Sequence, residues 1–172
     1  MMKLNKKQGI VFWITGLSGV GKTTLSKSIL KKIRENYGPT IFFNGDDLRK
    51  IFNLNKYDKL SRKKYAINYS KLCKFIINQK INVLIAVVGL FHEVRKRNKK
   101  NINNYIEIYL SANKKKIKKK DNRKIYLKKN VFGKDIKAEL PRKPHIKIIN
   151  DFKTKPNIIG DKLFFKIKEL IK

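Results

Sequence analysis

Residues 16–23, GLSGVGKT, have the composition and spacing of a loop that binds phosphate groups. Its glycines allow backbone N–H groups to point into the loop, and a helix after it would place a partial positive charge there. We expect Lys22 to reach the β- and γ-phosphates of ATP and the Thr23 hydroxyl to bind Mg²⁺. The residues predicted to bind ATP through this loop are Gly16, Leu17, Ser18, Gly19, Val20, Gly21, Lys22, Thr23 and Thr24.

Two adjacent carboxylates, Asp46 and Asp47, stand in the stretch FNGDDLRK of a chain with 44 Lys and Arg against 12 Asp and Glu. They follow the second predicted strand, and in small kinases the loop after that strand holds the acceptor near the γ-phosphate. A carboxylate at this point can bind Mg²⁺ through water and accept the proton of the acceptor hydroxyl. Asp46 is therefore the predicted base or metal partner, whereas Asp47 is expected to cap a helix or face solvent.

The third predicted strand, INVLIAVVG, ends without a carboxylate. GTPases and motor ATPases usually carry a second acidic site at the end of such a strand, so the pattern favours a kinase over a hydrolase. Lys22 and Asp46 are the predicted catalytic residues, and Thr23 and Asp46 are the predicted partners of Mg²⁺.

Apolar runs alternate with segments of helical periodicity, which is the pattern of βαβ units with a parallel sheet. Strands are predicted at 9–16, 40–45, 81–89, 104–112 and 145–151, and helices at 22–36, 61–79 and 158–172. Leu25, Ile29 and Ile33 recur at a spacing of four and predict the buried face of the first helix. A lysine-rich stretch of weak periodicity, residues 113–143, is predicted to be a mobile lid and is called the lid segment below. The sequence thus predicts one domain, residues 1–172, with a three-layer α/β P-loop NTPase fold around a parallel five-stranded sheet.

Stretches in order along nearly the whole chain resemble the motifs of adenylylsulfate (APS) kinases. They are GLSGVGKTTLS, NGDDLR, YDKLSRKKYAINYSKLCKFI, KKKDNRKIYLKK, VFGKDIKAELPRKP and IKIIN. The family has GLSGxGKTT, DGDxxR, F-S-x-x-D-R, R-D-x-K-G-L-Y-K-K and G-x-D-x-x-x-E-x-P at the first five. The resemblance implies an enzyme that uses ATP and Mg²⁺ to phosphorylate the 3′-hydroxyl of adenylyl sulfate, and it implies a homodimer.

The resemblance also implies roles for the residues that match. Arg49 and Arg62 would hold the anionic group of the acceptor, and the ring of Tyr57 would stack on its base. Lid positions that would close over bound ATP are matched by Asp121, Arg123 and Tyr126. His92 lies near the expected acceptor pocket and is predicted to bind an anionic group.

Other positions depart from the family pattern. Asn44 replaces the first Asp of DGD, Tyr65 stands where the family has Asn, and residues 67–68 are Ile-Asn where it has Arg-Arg. The family's I-S-P-Y-R after the third strand is VGLFHEVR here, at residues 88–95. YDKxSR and LFHEVRxxN resemble a branch found with bacterial surface-polysaccharide genes, whose acceptor can be cytidine diphosphoramidate. This acceptor is therefore the alternative to adenylyl sulfate.

The net charge of +32 indicates either a genome with biased codon usage or a surface that binds polyanions. Basic residues are spread along the chain with abundant Asn, Ile, Phe and Tyr, which favours the first explanation over binding of nucleic acid. A different class of function, a non-catalytic nucleotide- or RNA-binding protein derived from a kinase, stays open.

No apolar run approaches the roughly 18–20 residues of a membrane span. The lack of such a run and the single Cys73 predict a cytoplasmic protein. The partner expected for such a kinase is a small nucleotide acceptor.

Overall fold

The computed structural model describes residues 2–171; Met1 and Lys172, the last residue of the predicted closing helix, lie outside the described residues. The strands are β1 (Val11–Thr15), β2 (Thr40–Asn44), β3 (Asn82–Val87), β4 (Tyr105–Ser111) and β5 (Ile146–Ile149). The helices are α1 (Lys22–Tyr37), α2 (Gly45–Ile51), α3 (Lys59–Ile77), α4 (His92–Asn101), α5 (Lys114–Lys119) and α6 (Pro156–Ile171). None of the helices in residues 2–171 combines the length and apolar character needed to cross a bilayer.

The strands of the described chain form one parallel sheet in the order β2-β3-β1-β4-β5. β1 lies at its centre, so that Phe12 is in register with Leu84 of β3 on one side and Ile106 of β4 on the other. Because parallel strands all end at the same edge, the loops that follow them meet there, where α/β proteins bind ligands. The predicted α/β fold with a parallel five-stranded sheet is confirmed.

β1 is buried along its whole length, and its alternate side chains face two helical layers. Phe12 and Ile14 belong to a core cluster that includes residues of α1 and α6. Val11 and Trp13 belong to a second cluster that includes Cys73 and its neighbours on α3. Each such side chain contributes roughly 1.5–3 kcal/mol when fully buried, so the sheet is a firm platform for the loops at its edge.

The apolar stripe predicted for the first helix is confirmed, because Leu25, Ile29 and Ile33 are all buried in α1. By contrast, the sequence does not predict α4 or α5, and it indicates α2 only through the capping role expected of Asp47. α4 buries Val94, Arg95 and Asn98, and α5 buries Ile117 among lysines. Short helices with so few apolar inward positions leave no periodic signal and depend on tertiary contacts.

Buried side chains anchor the lid segment to the rest of the protein at two places. Ile117 is buried near its start, and Val131, Phe132 and Ile136 are buried further along. Residues 118–130, which lie between these anchors and are called the lid tip, contain no buried side chain. The exposed part of the segment is thus short and held at both ends.

Candidate active site

The phosphate loop joins the carboxyl end of β1 to the first turn of α1. Gly21 precedes the helix with a φ of 96°, in the left-handed region that favours glycine. A Cβ at this position would lie 2.9 Å from the side-chain nitrogen of Asn150. That nitrogen donates a hydrogen bond to the carbonyl oxygen of Val20 at 2.9 Å. The shape of the loop therefore depends on its own glycine and on the residue that follows β5.

Lys22 begins α1 and turns its side chain back into the loop. Its Nζ donates hydrogen bonds to the carbonyl oxygens of Gly16 at 3.1 Å and Leu17 at 2.9 Å. Burial lowers the pKa of Lys22 to about 7; the Asp46 carboxylate opposes this shift, and the Arg123 guanidinium adds to it. An amine with this pKa will gain a proton when anionic phosphates approach it.

We expect the affinity for ATP to fall as pH rises above about 7, because the free protein then holds Lys22 largely neutral while bound phosphates favour its charged form. Binding above this pH takes up about one proton and weakens by up to about tenfold per pH unit. Calorimetry with a non-hydrolysable ATP analogue, in buffers of different ionisation enthalpy above about pH 7.5, separates this proton from phosphate titration. An affinity that does not change with pH, without proton uptake, would contradict this role of Lys22.

The acidic pair lies at the start of α2, directly after β2. The Asn44 side-chain oxygen accepts hydrogen bonds from the backbone N–H groups of Asp46 and Asp47, both at 3.0 Å, and so caps the helix. The Asn44 side-chain amide in turn donates to the exposed carboxylate of Asp47. The residue that caps α2 is therefore Asn44 and not Asp47. Asn44, which replaces the first Asp of the family motif DGD, thus stabilises the start of this helix.

The Asp46 carboxylate is held by two guanidinium groups. Arg49, one turn further along α2, contacts one of its oxygens, and Arg123 of the lid tip lies 3.1 Å from the other. Asp46 is exposed, and ion pairs at such positions contribute little to stability, so other partners can replace these contacts. Lys22 and Thr23 line the same cavity as Asp46, so both predicted catalytic residues face the same space.

The same cavity holds the two predicted partners of Mg²⁺. Thr23 supplies a hydroxyl oxygen and Asp46 a carboxylate. Residues 2–171 contain no group of three or more His, Cys, Asp or Glu that could hold a metal ion by themselves. Because Mg²⁺ usually keeps several waters and takes one or two protein oxygens together with substrate phosphates, this donor set fits a metal that arrives with ATP.

Three of the residues predicted to bind the acceptor lie together. The Arg62 guanidinium lies over the ring of Tyr57 at 5.2 Å and over the ring of Phe132 at 5.4 Å. The Arg49 guanidinium lies over the same Tyr57 ring at 5.7 Å. Phe132 was missed from the sequence; its only signal was an aromatic residue within an otherwise polar and basic stretch.

Cavities on both sides of the phosphate loop share Gly19 as part of their walls. The one beside Arg49, Tyr57 and Arg62 has a volume of about 610 Å³, and this side of the loop is called the acceptor side after the predicted role of these residues. Its lining residues include Lys22, Thr23, Asp46, Arg49, Tyr57, Arg62, Val87, Val88, Arg123, Lys128 and Lys129. A neighbouring cavity of about 480 Å³ lies beside Lys22, Thr23, Asp46 and Arg123, and one of about 340 Å³ lies beside Asn150, Phe152 and Thr154. The loop thus separates an acceptor side from a second side large enough for a nucleoside.

The loop after β5 forms one wall of that second side and was also missed from the sequence. The Asp151 carboxylate accepts hydrogen bonds from the backbone N–H groups of Lys153 and Thr154, both at 2.9 Å. Hydrogen bonds from Thr154 and Lys153 lower the pKa of Asp151 to about 2. This turn holds Phe152 and Thr154 beside the cavity, and the only hint in the sequence was an Asp and a Thr three residues apart.

The lid tip contacts the loop and the acidic pair at once. The Tyr126 hydroxyl donates to the carbonyl oxygen of Ser18 at 3.1 Å, and the Asp121 carboxylate accepts from the backbone N–H of Tyr126 at 2.9 Å. Together with the ion pair between Arg123 and Asp46, these bonds place the lid tip over the phosphate loop.

His92, in contrast, is not among the residues that line these cavities. It is exposed at the start of α4, where its Nδ1 lies 2.8 Å from a guanidinium nitrogen of Arg95. Its backbone N–H donates to the Glu139 carboxylate at 2.5 Å. The structure therefore does not place His92 with Arg49 and Arg62.

Comparison with known proteins identifies the family of the chain. The sequence profile of the family described as adenylylsulphate kinase matches residues 8–149. A cytidine diphosphoramidate kinase of Campylobacter jejuni is 32% identical over 142 residues, which cover 79% of this chain and 84% of that protein. An adenylyl-sulfate kinase of Gloeothece citriformis is 25% identical over 174 residues, which cover 96% of this chain and 97% of that protein.

A solved structure has the same fold. It is that of the Mycobacterium tuberculosis APS kinase in complex with AMPPNP and APS, with a TM-score of 0.83 and 18% identity. The match covers 94% of this chain and 98% of that one. The profile match spans most of the chain, and the Campylobacter enzyme is 32% identical. These two findings show the family of the chain and not only its fold. The chain belongs to the adenylylsulphate kinase family and is an ATP-dependent kinase of that family.

Proposed function

We propose that the protein transfers the γ-phosphoryl group of ATP to the ribose 3′-hydroxyl of an anionic nucleotide, with adenylyl sulfate as the acceptor that the family name implies. The observation that carries the proposal is a single cavity lined by Lys22 and Thr23 of the phosphate loop, by Asp46, and by Arg49 and Arg62. Donor phosphates and acceptor hydroxyl can therefore meet beside one carboxylate.

In the proposed reaction the loop N–H groups and Lys22 hold the donor phosphates. Thr23 and Asp46 would hold Mg²⁺, which would neutralise charge on the donor phosphates. The acceptor oxygen forms a bond to the γ-phosphorus as the bridging bond to ADP breaks, and the hydroxyl proton passes to Asp46 and then to solvent. Arg123 is placed to exchange its contact with Asp46 for donor phosphates.

The charge of the acceptor cavity supports an acceptor that carries anionic groups. Arg49, Arg62, Lys128 and Lys129 all line it, against the carboxylate of Asp46. The exposed ring of Tyr57, which also lines the cavity, adds flat apolar surface suited to a nucleobase. A nucleotide that ends in a charged group meets both requirements.

Cytidine diphosphoramidate is the second candidate acceptor. The relative that carries this name is 32% identical to the chain, against 25% for the adenylyl-sulfate kinase of Gloeothece citriformis. In addition, Val88, Gly89 and Phe91, which line a recess on the acceptor side, belong to the stretch where the chain departs from the family motif. A changed wall on the acceptor side supports a changed acceptor.

An acceptor panel tests the proposal. ADP release would be measured with adenylyl sulfate, cytidine diphosphoramidate, AMP and CDP, and ³¹P NMR would identify the phosphorylated position. Turnover of adenylyl sulfate supports the first assignment, and turnover of the cytidine compound alone supports the second. If ATP binds but no nucleotide is phosphorylated, the proposal is wrong. RNA binding that weakens steeply with salt would then favour the non-catalytic alternative.

We also infer a homodimer, as the family resemblance implies, and a location in the cytoplasm, as the single Cys73 and the lack of a long apolar run suggest. Burial raises the pKa of Cys73, so this thiol stays protonated and inert in a reducing compartment. Adenylyl sulfate as acceptor would place the enzyme in sulfate assimilation, and the cytidine compound in surface-polysaccharide modification. Light scattering coupled to size exclusion measures the oligomeric state directly.

A further inference from the structure

A charged pair is buried between α4 and the sheet, outside the cavities described above. Arg95 of α4 is 4% exposed and Glu107 of β4 is 1% exposed, and their Nε and Oε1 atoms lie 2.9 Å apart. Lys99, one turn further along α4, places its Nζ 2.9 Å from the other carboxylate oxygen. Since burial of charges is costly and apolar residues can often replace such pairs without loss of stability, stability alone is a weak explanation for this one.

The remaining nitrogens of Arg95 point toward the segment that joins β3 to α4. One lies 3.4 Å from the carbonyl oxygen of Gly89, and the other lies 2.8 Å from Nδ1 of His92. Gly89 has a φ of 47°, and a Cβ there would lie 3.2 Å from the indole ring of Trp13. The segment thus packs against Trp13 of the central strand β1 and is hydrogen-bonded to Arg95 of the buried pair.

The other side of this segment is held by the part of the chain that follows the lid tip. The backbone N–H of Glu139 donates to the carbonyl oxygen of Leu90 at 3.1 Å, and its carboxylate accepts from the backbone N–H of His92. The rings of Phe91 and Phe132 meet edge to face at 5.2 Å. Phe132 is the ring that lies under the Arg62 guanidinium, so the segment forms one continuous surface with the acceptor side.

Residues 88–91, VGLF, are called the acceptor wall. Val88, Gly89 and Phe91 line a recess beside Arg62, whereas Arg95 and Glu107 are absent from the lining of that recess and of the cavities described above. We propose that Arg95 and Glu107 are positioning residues for the acceptor: their buried ion pair fixes the acceptor wall and thereby sets acceptor affinity and selectivity. The inference rests on the proposed function of this side as the acceptor site.

The test uses variants that avoid an unpaired buried charge. Arg95→Met combined with Glu107→Leu removes both charges with little change in volume. Arg95→Lys keeps the charge but lacks the planar group that reaches Glu107, Gly89 and His92 together, and it serves if the double variant does not fold. Lys99→Met is the matched control, because it removes a partly exposed partner of the same carboxylate without touching the acceptor wall.

Each folded variant would be assayed for the KM of the acceptor, the binding of an ATP analogue, and the ratio of kcat/KM between adenylyl sulfate and cytidine diphosphoramidate. We expect the double variant to raise the acceptor KM by at least about tenfold and to change the selectivity ratio, with ATP binding within about twofold of wild type. Arg95→Lys should raise the acceptor KM in the same direction, and Lys99→Met should leave it near that of wild type.

The outcomes separate this inference from the proposed function. If wild type phosphorylates a nucleotide but the acceptor KM and selectivity of the folded double variant, or of Arg95→Lys in its place, are unchanged, the buried pair is only structural and the inference is wrong. If wild type phosphorylates no nucleotide, the proposed function fails and the inference fails with it. A rise in acceptor KM with unchanged ATP binding supports both.

Discussion

Asp46→Asn is expected to lower kcat by about 10²–10⁴-fold, the range for loss of a general base. The exchange keeps the volume of the side chain but removes the charge that faces Arg49 and Arg123 and the site that would take the acceptor proton. The cap of α2 should persist, because Asn44 bonds the backbone of residue 46 and not its side chain. ATP should therefore still bind. Steady-state ADP release and the affinity for an ATP analogue would measure the two effects separately.

Asp47→Asn is the matched control, since it makes the same chemical change one residue away. The Asp47 carboxylate is exposed and contacts the amide of Asn44 rather than an arginine. We expect its kcat to stay within about threefold of wild type, as for most exposed substitutions away from special contacts. Activity that survives in Asp46→Asn, or is lost equally in both variants, would refute the assignment of the chemistry to Asp46.

Lys22→Met is expected to lower kcat by about 10²–10³-fold, the usual cost of one lost donor to a developing charge. The lysine is the charged group that the loop directs inward, where its Nζ bonds the carbonyl oxygens of Gly16 and Leu17. The loop glycines are untouched, so the fold should be preserved, while ATP should bind more weakly. Single-turnover kinetics at saturating ATP separate the loss in chemistry from the loss in binding.

Lys27→Met is the control for this change, because Lys27 is exposed on the same helix. It removes one positive charge, as Lys22→Met does in the ATP-bound protein, and we expect its kcat and its affinity for ATP to match wild type. Equal losses in the two variants would mean that the general positive field, and not the position of Lys22, accounts for the effect.

The sequence predicted best where the signal is local. The loop GLSGVGKT carries its own geometry in its glycines, and the apolar runs of the strands are long enough to identify all five without knowledge of their order. The structure also brings Arg49, Tyr57 and Arg62 together, because α2 and the start of α3 are close in sequence; their role in binding the acceptor stays a prediction.

What the sequence could not predict depends on contacts between distant segments. Phe132 reaches the acceptor side only because the lid segment is anchored there, and Phe152 lines the opposite side only because β5 lies at the edge of the sheet. His92 is adjacent in sequence to the acceptor wall, yet the first turn of α4 directs its ring to Arg95. The sequence shows which residues are neighbours along the chain, but it does not show the direction in which α4 starts and therefore where the His92 ring points.

The two anchors of the lid segment have an energetic consequence. Ile117 and Phe132 carry the fully buried contacts of the segment, so they would stay in place while raising the lid tip breaks the polar contacts of Arg123 and Tyr126 and the packing of the half-buried Tyr126 ring. If the predicted lid opens during turnover, the buried contacts of these two anchors would therefore persist in both states. Substitutions within residues 118–130 are therefore expected to cost the fold less stability than substitutions at Ile117 or Phe132.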